Sequence, residues 1–351
     1  MDEQLKRLLL LTAEKGGSDL HIVPLRFPSI RIEGDLVSLT QEQILSPKDT
    51  EKILRSILTA DKEEKLDVVR DVDLAFNIDE HLRFRANIYY QHHGLSGSFR
   101  AIQSEIRTIE ELNLPPILHQ FIEKRQGLIL ITGPAGTGKT TTLAALIDEI
   151  NHNRASHIIT VEEPIEYLFS ADKSIISQRE IPIDAPSWER ALVAALREDP
   201  DVIMIGELRD SESISIALTA AETGHLVLGT MHTNSASQTV DRILDILPEN
   251  KKNQARFQLA ATLIGVVSQR LVPQVKGGRI PACEVLIADQ AVKNLIRENK
   301  VYQLDLAIET GLEKGMITLE RSLATMVNLG EISEETAMSF ALSLDRLRNA
   351  M

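Results

Sequence analysis

Residues 127–140 read GLILITGPAGTGKT, and this stretch decides the fold. Its first six residues, 127–132, form a nearly continuous apolar run, which is typical of a strand buried on both faces of a parallel sheet. A glycine-rich turn follows, and the run at 141–150 has the composition of a helix. The order of strand, tight turn and helix predicts a βα unit of an α/β domain.

The turn has the spacing G-x-x-x-x-G-K-[ST]. Glycines allow backbone N–H groups to face phosphate oxygens, and the helix N-terminus favours negative charge. Lys139 can bridge the β- and γ-phosphates of ATP, and Thr140 can reach Mg²⁺, so the pattern predicts a P-loop. The candidate nucleotide-binding residues of this loop are Gly133, Pro134, Ala135, Gly136, Thr137, Gly138, Lys139, Thr140 and Thr141.

A second apolar run ends in a carboxylate that could act on the nucleotide. It spans residues 202–205 and is followed by Gly206 and Glu207. ATP hydrolysis needs an acid beside the metal and a group that orients water at the γ-phosphate. The layout is that of a Walker B segment and predicts Glu207 for both tasks, with a surface carboxylate as the alternative.

A third apolar run, at 158–161, ends in the sequence Glu162-Glu163-Pro164. Ligands of open α/β sheets bind at the carboxyl ends of the strands. Adjacent residues of a strand point to opposite faces, so only one of the two carboxylates should reach water or Mg²⁺. We favour Glu163 as a catalytic and metal-binding residue, and a purely structural role for the pair is the alternative.

Two histidines flank a fourth apolar run, at 226–231. His225 precedes this run and His232 follows it, so they should lie at opposite ends of a strand, with His232 at the ligand edge. A neutral imidazole there could contact the γ-phosphate or position water. We predict His232 as catalytic and His225 as nucleotide-binding, and a structural role is the alternative for both.

The first hundred or so residues have a different pattern of apolar and polar residues. Alternating apolar and polar residues, as at 72–78 and 82–90, predict half-buried strands mixed in blocks with helices, which indicates a smaller α+β domain. Arg83 and Arg85 share one face of a strand, and Arg100 lies on the next run. These guanidinium groups could clamp phosphates at a domain or subunit boundary, or they could form an ordinary solvated face.

Breaks in these patterns predict the domain limits. Two successive prolines at 115–116 can continue neither a helix nor a central strand, so we predict a linker over 106–125. The smaller domain then covers 1–105. The strands and helices that alternate over 126–290 predict a doubly wound, mostly parallel sheet, and 291–351 has helical spacing.

Composition disfavours several functional classes. The chain has 351 residues and a formal net charge of −13, which opposes a surface that coats nucleic acid. Aromatic residues make up 4% of the chain, too few for platforms that stack bases. Cys283 is the single cysteine, so the chain cannot build a disulfide framework, and a reducing cytosolic setting is expected. No segment has the apolar length needed to cross a bilayer.

Together these motifs resemble the secretion ATPase superfamily, which contains the motors of type II secretion and type IV pili. The P-loop, the acidic segment 162–167, the Walker B segment 197–210 and a histidine box at 224–236 follow in the family's order. Residues 18–21 and 83–100 look like the family's N-terminal, PAS-like domain. The resemblance implies a RecA-like ATPase core that uses ATP and Mg²⁺.

Within this superfamily the chain looks most like the pilus retraction ATPases. It lacks the paired Cys-x-x-Cys element typical of extension motors and secretion ATPases. Residues 291–298, AVKNLIRE, are similar to the Ala-Ile-Arg-Asn-Leu-Ile-Arg-Glu signature of the retraction branch, with Val292 and Lys293 as conservative departures. Glu163 stands where many relatives have Asp, so the choice between Glu162 and Glu163 stays open.

The resemblance implies a cytoplasmic homohexamer at the inner-membrane face of a pilus base, where it would drive retraction and twitching motility. The implied partners are an inner-membrane platform protein and, as a further candidate, other pilus ATPases. In such a ring Arg83, Arg85 and Arg100 of one copy would complete a neighbour's site. Three alternatives stay open: a pilus extension or type II secretion motor, a RecA-like nucleic-acid translocase, and a nucleotide-binding regulator without catalysis.

Overall fold

The computed structural model of this chain describes residues 1–32, 34–79, 82–103 and 106–351. The chain divides into two units, Met1–Glu105 and Ile106–Met351. Residue 105, where the smaller domain was predicted to end, lies outside the described residues.

The N-terminal unit is an antiparallel sheet accompanied by helices. Its strands are β1 (Asp19–Ile22), β2 (Ser29–Ile32), β3 (Asp35–Ser38), β4 (Asp71–Asn77), β5 (Leu82–Gln91) and β6 (Gly94–Gln103). Its helices are α1 (Glu3–Glu14), α2 (Pro47–Arg55) and α3 (Ala60–Val69). The strand order is β3-β2-β1-β6-β5-β4, and every neighbouring pair is antiparallel. The predicted α+β domain is confirmed.

Alternation along the strands places the core of this unit on one side of the sheet. Phe84 and Ala86 of β5 are fully buried, whereas Arg83 and Arg85 lie on the other face of the same strand. Phe99 of β6 joins the same core, which also contains the apolar face of α1. The buried apolar residues of β5 therefore hold the strand in place, and the two arginines lie on its opposite face.

The second unit alternates strands and helices before it ends in helices. Its strands are β7 (Gly127–Thr132), β8 (His157–Glu162), β9 (Ile175–Glu180), β10 (Val202–Ile205), β11 (Leu226–Met231), β12 (Leu263–Pro273) and β13 (Arg279–Ile287). Its α-helices are α4 (Ile117–Ile122), α5 (Lys139–Asn153), α6 (Trp188–Ala195), α7 (Ser211–Glu222), α8 (Ala236–Ile246), α9 (Glu249–Thr262), α10 (Gln290–Arg297), α11 (Leu304–Thr310), α12 (Leu319–Asn328), α13 (Glu334–Phe340) and α14 (Leu344–Ala350). Short 3₁₀ helices cover Val301–Gln303 and Leu312–Lys314.

The strands of this unit form one sheet in the order β13-β12-β7-β11-β10-β8-β9. All neighbouring pairs are parallel except β12 with β13. Leu128 and Leu130 of β7 belong to one core cluster, and Ile129 and Ile131 belong to the cluster on the other face. The prediction of a mostly parallel sheet covered on both faces is confirmed.

Two parts of the sheet went unpredicted. Strand β9 reads IISQRE and forms an edge of the sheet, so it has no apolar run to reveal it. The hairpin of β12 and β13 adds an antiparallel pair at the other edge. Both lie outside the βα repetition on which the sequence prediction depended.

The segment 106–125, predicted as a linker, belongs to the second unit. Ile109 and Leu118 are buried in the core cluster that also contains Ile129. Pro116 directly precedes α4, a position where a helix tolerates a residue without an N–H group. The prolines therefore mark the start of a helix, and the finer limits of the core and of the helical C-terminal region stay predictions.

Candidate functional site

The carboxyl ends of neighbouring parallel strands β7, β11, β10 and β8 lie at one edge of the sheet. The phosphate loop follows β7, and His232 follows β11. Glu207 follows β10 by one glycine, and Glu163 follows β8. The parallel register therefore brings together residues that are far apart in the sequence.

The loop between β7 and α5 depends on glycine. Gly133 has a φ of +143° and Gly138 has a φ of +85°, conformations that other residues rarely adopt. The hydroxyl of Thr137 donates to the carbonyl oxygen of Pro134 at 2.9 Å, which tightens the turn. The loop thus leads directly into α5, whose N-terminus presents free N–H groups and the positive end of the helix dipole.

Lys139 is the first residue of α5, and its ammonium group is buried in the loop. Its Nζ donates to the carbonyl oxygens of Gly133 and Pro134, both at 2.8 Å, and lies 3.4 Å from Nδ1 of His232. Burial lowers the pKa of Lys139, and the carboxylate of Glu207 opposes that shift. Phosphate oxygens could replace the two carbonyls as partners of this cation.

Glu207 interacts with two potential cations. Its Oε2 lies 3.3 Å from Nε2 of His232 and 2.8 Å from a guanidinium nitrogen of Arg209. Burial would raise the pKa of Glu207, but the hydrogen bond from Arg209 and the interaction with His232 outweigh it and lower the pKa. The carboxylate is therefore ionised and fixed in direction, as a group that orients water or faces a metal must be.

Arg209 and Trp188 belong to the site, although the sequence patterns did not single them out. Arg209 bridges the acids, since its guanidinium also lies 3.8 Å from Oε2 of Glu163. The indole Nε1 of Trp188 donates to the same oxygen at 3.0 Å. Arg209 stands two residues after Glu207, a spacing that could have suggested a shared direction, whereas nothing in the sequence points to Trp188.

Glu162 and Glu163 have different environments. Glu162 is 3% exposed, and its Oε1 accepts hydrogen bonds from Thr160 at 2.7 Å and from Gln178 at 3.2 Å. Burial raises the pKa of Glu162 to about 7. Glu163 is exposed and contacts Arg209 and Trp188. This difference favours Glu163 as the acting carboxylate, which stays a prediction.

The acidic segment is tied to helix α5. The hydroxyl groups of Thr141 and Tyr167 lie 2.9 Å apart, and Gln178 donates to the carbonyl oxygen of Tyr167 at 2.8 Å. Thr141 therefore holds a protein partner, whereas the neighbouring Thr140 is half-buried in the first turn of the helix. Thr140, and not Thr141, therefore stays the predicted metal-binding hydroxyl.

His225 lies far from the loop. It directly precedes β11, where its carbonyl oxygen accepts from the N–H of Gly127 at 3.0 Å, and its ring contacts the carbonyl of Ala220. At about 3.3 Å per residue, the length of β11 places it roughly 20 Å from His232. His225 therefore cannot touch a nucleotide held by the loop of its own chain, contrary to its predicted role.

The candidate arginines lie in the N-terminal unit. Arg85 and Arg100 are paired across β5 and β6. Arg85 lies 3.9 Å from a carboxylate oxygen of Asp73, and Arg100 lies 3.0 Å from one of Asp19. Arg83 donates to the side chain of Asn77 at 3.2 Å. The side chains of Arg85 and Arg100 are 44% and 70% exposed, so both can meet an additional anion.

The predicted metal-binding residues are one hydroxyl, that of Thr140, and two carboxylates, those of Glu163 and Glu207. Among the described residues, no group of three His, Cys, Asp or Glu side chains is placed to hold a metal ion. Mg²⁺ is usually bound by one or two carboxylates together with substrate phosphates and water. A set made of Thr140, Glu207 and Glu163 fits that pattern.

Known proteins resemble this chain over most of its length. The model of the family described as "Type II/IV secretion system protein" matches residues 5–312. The "Type IV pilus retractation ATPase PilT" of Pseudomonas aeruginosa is 41% identical over 330 residues, 94% of this chain and 96% of that protein. A "Twitching motility protein" of Neisseria gonorrhoeae is 42% identical and covers 88% of this chain and 83% of its own length.

Among solved structures, the crystal structure of "the Pilus Retraction Motor PilT and Bound ADP" is similar to this chain, with a TM-score of 0.92 and 42% identity. The match covers 98% of each chain.

The raised pKa of Glu162 predicts a pH effect on stability. An unfolded Glu ionises near its ordinary pKa of 4.5, while the folded one stays protonated up to about 7. Its stabilising contribution is thus present below pH 4.5 and is lost as the pH rises through 7. The free energy of unfolding of the wild type should therefore fall by roughly 3 kcal/mol over this range, whereas that of Glu162→Gln should lack this fall.

Urea unfolding at about pH 5 and about pH 8.5 measures this difference. The matched control is Glu163→Gln, the same change at the adjacent exposed residue, and its curve should run parallel to that of the wild type. A Glu162→Gln curve that also runs parallel to the wild type would show that Glu162 ionises normally in the folded protein.

Proposed function

This chain belongs to the type II/IV secretion system protein family, and we propose that it is an ATP-hydrolysing motor that retracts type IV pili. One observation carries the enzymatic part: the ammonium of Lys139 lies inside the phosphate loop, 3.4 Å from His232, whose other ring nitrogen lies 3.3 Å from Glu207. The relatives named for pilus retraction and twitching support the motor role.

The site residues divide the work of hydrolysis. The loop N–H groups and the start of α5 bind the phosphates of ATP, and Lys139 exchanges the carbonyls of Gly133 and Pro134 for phosphate oxygens. Glu207 orients a water that attacks the γ-phosphorus while the bond to the β–γ bridging oxygen breaks, which yields ADP and phosphate. His232, which lies between Lys139 and Glu207, contacts the γ-phosphate.

The same edge of the sheet would hold a divalent metal. The hydroxyl of Thr140 with the carboxylates of Glu207 and Glu163 would bind Mg²⁺, which neutralises charge on the phosphates when it is bound. In the structure the guanidinium of Arg209 bridges these two carboxylates. Arg209 therefore holds both acids at the sheet edge and limits their mutual repulsion.

Two substitutions separate nucleotide binding from hydrolysis. Lys139→Ala removes the cation of the loop, so both the affinity for ADP and the ATPase rate should fall by at least about tenfold. Glu207→Gln keeps the size of the side chain but removes the charge that orients water, so the ATPase rate should fall about 10² to 10⁴-fold while ADP affinity changes little. Calorimetric titration and phosphate release measure the two effects.

The matched control is Lys276→Ala, which removes an exposed cation from the turn between β12 and β13. It should bind ADP and hydrolyse ATP like the wild type. A wild-type chain that binds ADP but releases no phosphate would instead support the non-catalytic regulator. A Lys139→Ala chain that still hydrolyses ATP would refute the proposed site.

We also propose that copies of the chain form a homohexameric ring, in which Arg83, Arg85 and Arg100 of one copy meet the phosphates held by another. The exposure of Arg85 and Arg100 supports this proposal, because 44% of the Arg85 side chain and 70% of the Arg100 side chain stay exposed beside their ion pairs. Guanidinium groups stabilise the charge that develops on phosphates during transfer. The signature at 291–298 would pass the resulting movement to the pilus base.

Co-expression of two inactive variants tests this arrangement. Lys139→Ala and Arg85→Ala should each abolish most ATPase activity, but random mixed rings should recover about a quarter of the wild-type rate. A quarter of the sites would combine an intact loop with an intact arginine from the next copy. In the control mixture of Lys139→Ala with Glu207→Gln no site is intact, and no recovery is expected. Equal rates in both mixtures would contradict the proposal.

The proposed place of the motor is the cytoplasmic face of the inner membrane at the pilus base. No helix of the described residues is both long and apolar enough to cross a membrane. We propose that an inner-membrane platform protein holds the ring there, with other pilus ATPases as further candidate partners. The acidic surface of the chain makes direct binding of nucleic acid unfavourable.

Deletion of the gene in its source strain tests the direction of the motor. Loss of retraction should leave the cells with surplus pili and without twitching, and wild-type protein but not Lys139→Ala should restore both. Electron microscopy of pili and a twitching assay on agar measure the outcome. Cells without any pili would instead favour an extension motor, and piliated twitching cells with a secretion defect would favour the type II secretion alternative.

A further inference from the structure

We propose that Gln269 of β12 is a positioning residue that sets the shape of the phosphate loop and thereby the affinity for nucleotide. The proposal rests on the proposed function, because it concerns the same site. Gln269 is 1% exposed, so its amide must find its hydrogen-bond partners inside the protein. It belongs to a different strand from the loop and is 132 residues from Thr137 in the sequence.

The amide of Gln269 bonds to both the loop and the helix after it. Its Nε2 donates to the carbonyl oxygen of Thr137 at 2.7 Å, and its Oε1 accepts from the hydroxyl of Thr142 at 3.0 Å. Thr137 lies within the phosphate loop, and Thr142 lies in the first turn of α5. One side chain therefore fixes the distance between the loop and the helix N-terminus that together face the phosphates.

The ends of the loop also pack against this residue. A Cβ atom on Gly133 would stand 2.3 Å from the carbonyl oxygen of Gln269, and one on Gly138 would stand 3.3 Å from its Nε2. Glycine at position 133 is therefore needed for close approach to Gln269 as well as for backbone conformation, and a Cβ atom on Gly138 would crowd the amide. The loop thus packs closely against the main chain and the side chain of Gln269 on the neighbouring strand.

The strand that carries Gln269 is held on both sides. Ser268 pairs with Thr132 at the end of β7, and Gln269 pairs with Cys283 of β13. The amide is thus a fixed reference point for the loop. A carboxamide suits this place because it donates to a carbonyl and accepts from a hydroxyl at the same time, which a carboxylate cannot do.

Gln269→Glu turns this requirement into a measurable pH profile. When the new carboxyl is ionised, two acceptor oxygens face the carbonyl of Thr137, and the loop should lose its anchor. Burial at this position raises the pKa of the new carboxyl, so at about pH 5.5 it is protonated. Its O–H group can then donate to that carbonyl, and the geometry should return. We expect the affinity for ADP to be at least about tenfold below wild type at about pH 8.5 and within about threefold of it at about pH 5.5.

The measurement is calorimetric titration of the full chain with ADP and Mg²⁺ at both pH values, each compared with the wild type. The matched control is Gln274→Glu, the same substitution at the end of the same hairpin, which should bind ADP like the wild type throughout. Wild-type affinity of Gln269→Glu at both pH values, or an equal loss at both, would overturn the proposal. A wild type that fails to bind ADP would instead refute the proposed function.

A second variant keeps the proposal testable if Gln269→Glu does not fold. Thr142→Val removes only the hydroxyl that donates to the amide and keeps the size of this buried side chain. It should weaken ADP binding by about threefold to tenfold at every pH, without rescue by acid. Wild-type affinity in a folded Thr142→Val chain would overturn the proposal.

Discussion

A buried ammonium group constrains the rest of the second unit. Lys139 has little contact with water, and a cation removed from water is costly unless fixed partners surround it. Carbonyl oxygens of Gly133 and Pro134 supply those partners, which is possible only if the loop turns back on itself. That turn needs glycine, a strand to start from and a helix to end in, and the parallel register then brings the carboxylates of neighbouring strands to the same place.

Those parts of the fold could be predicted because their causes are local in the sequence. A strand buried on both faces must be apolar throughout, as 127–132 is, and the loop has a spacing that few other structures require. The carboxylates followed from the same reasoning, since an acid after an apolar strand lies at the carboxyl edge. The separate environments of Glu162 and Glu163 agree with the alternation, which predicted that only one of the two carboxylates would reach water or Mg²⁺.

The remainder depends on contacts between distant segments, which spacing does not record. Strand β9 has no apolar period, because it is an edge strand, and Trp188 meets Glu163 only because α6 begins beside the acidic segment. Gln269 looks like an ordinary polar residue within a strand, since its partners lie more than a hundred residues earlier. His225 shows the opposite error: the sequence places it near a motif, but the length of β11 separates it from the loop.

Trp188 is the only tryptophan of the chain, and its indole joins two parts of the site. Its N–H group bonds to Glu163, and its ring edge would lie 3.3 Å from a Cβ atom placed on Gly206, next to Glu207. Indole emission is sensitive to the charge and polarity around the ring. The protein therefore contains a natural optical probe, and rearrangement of the acidic segment can be followed in real time without attaching a dye.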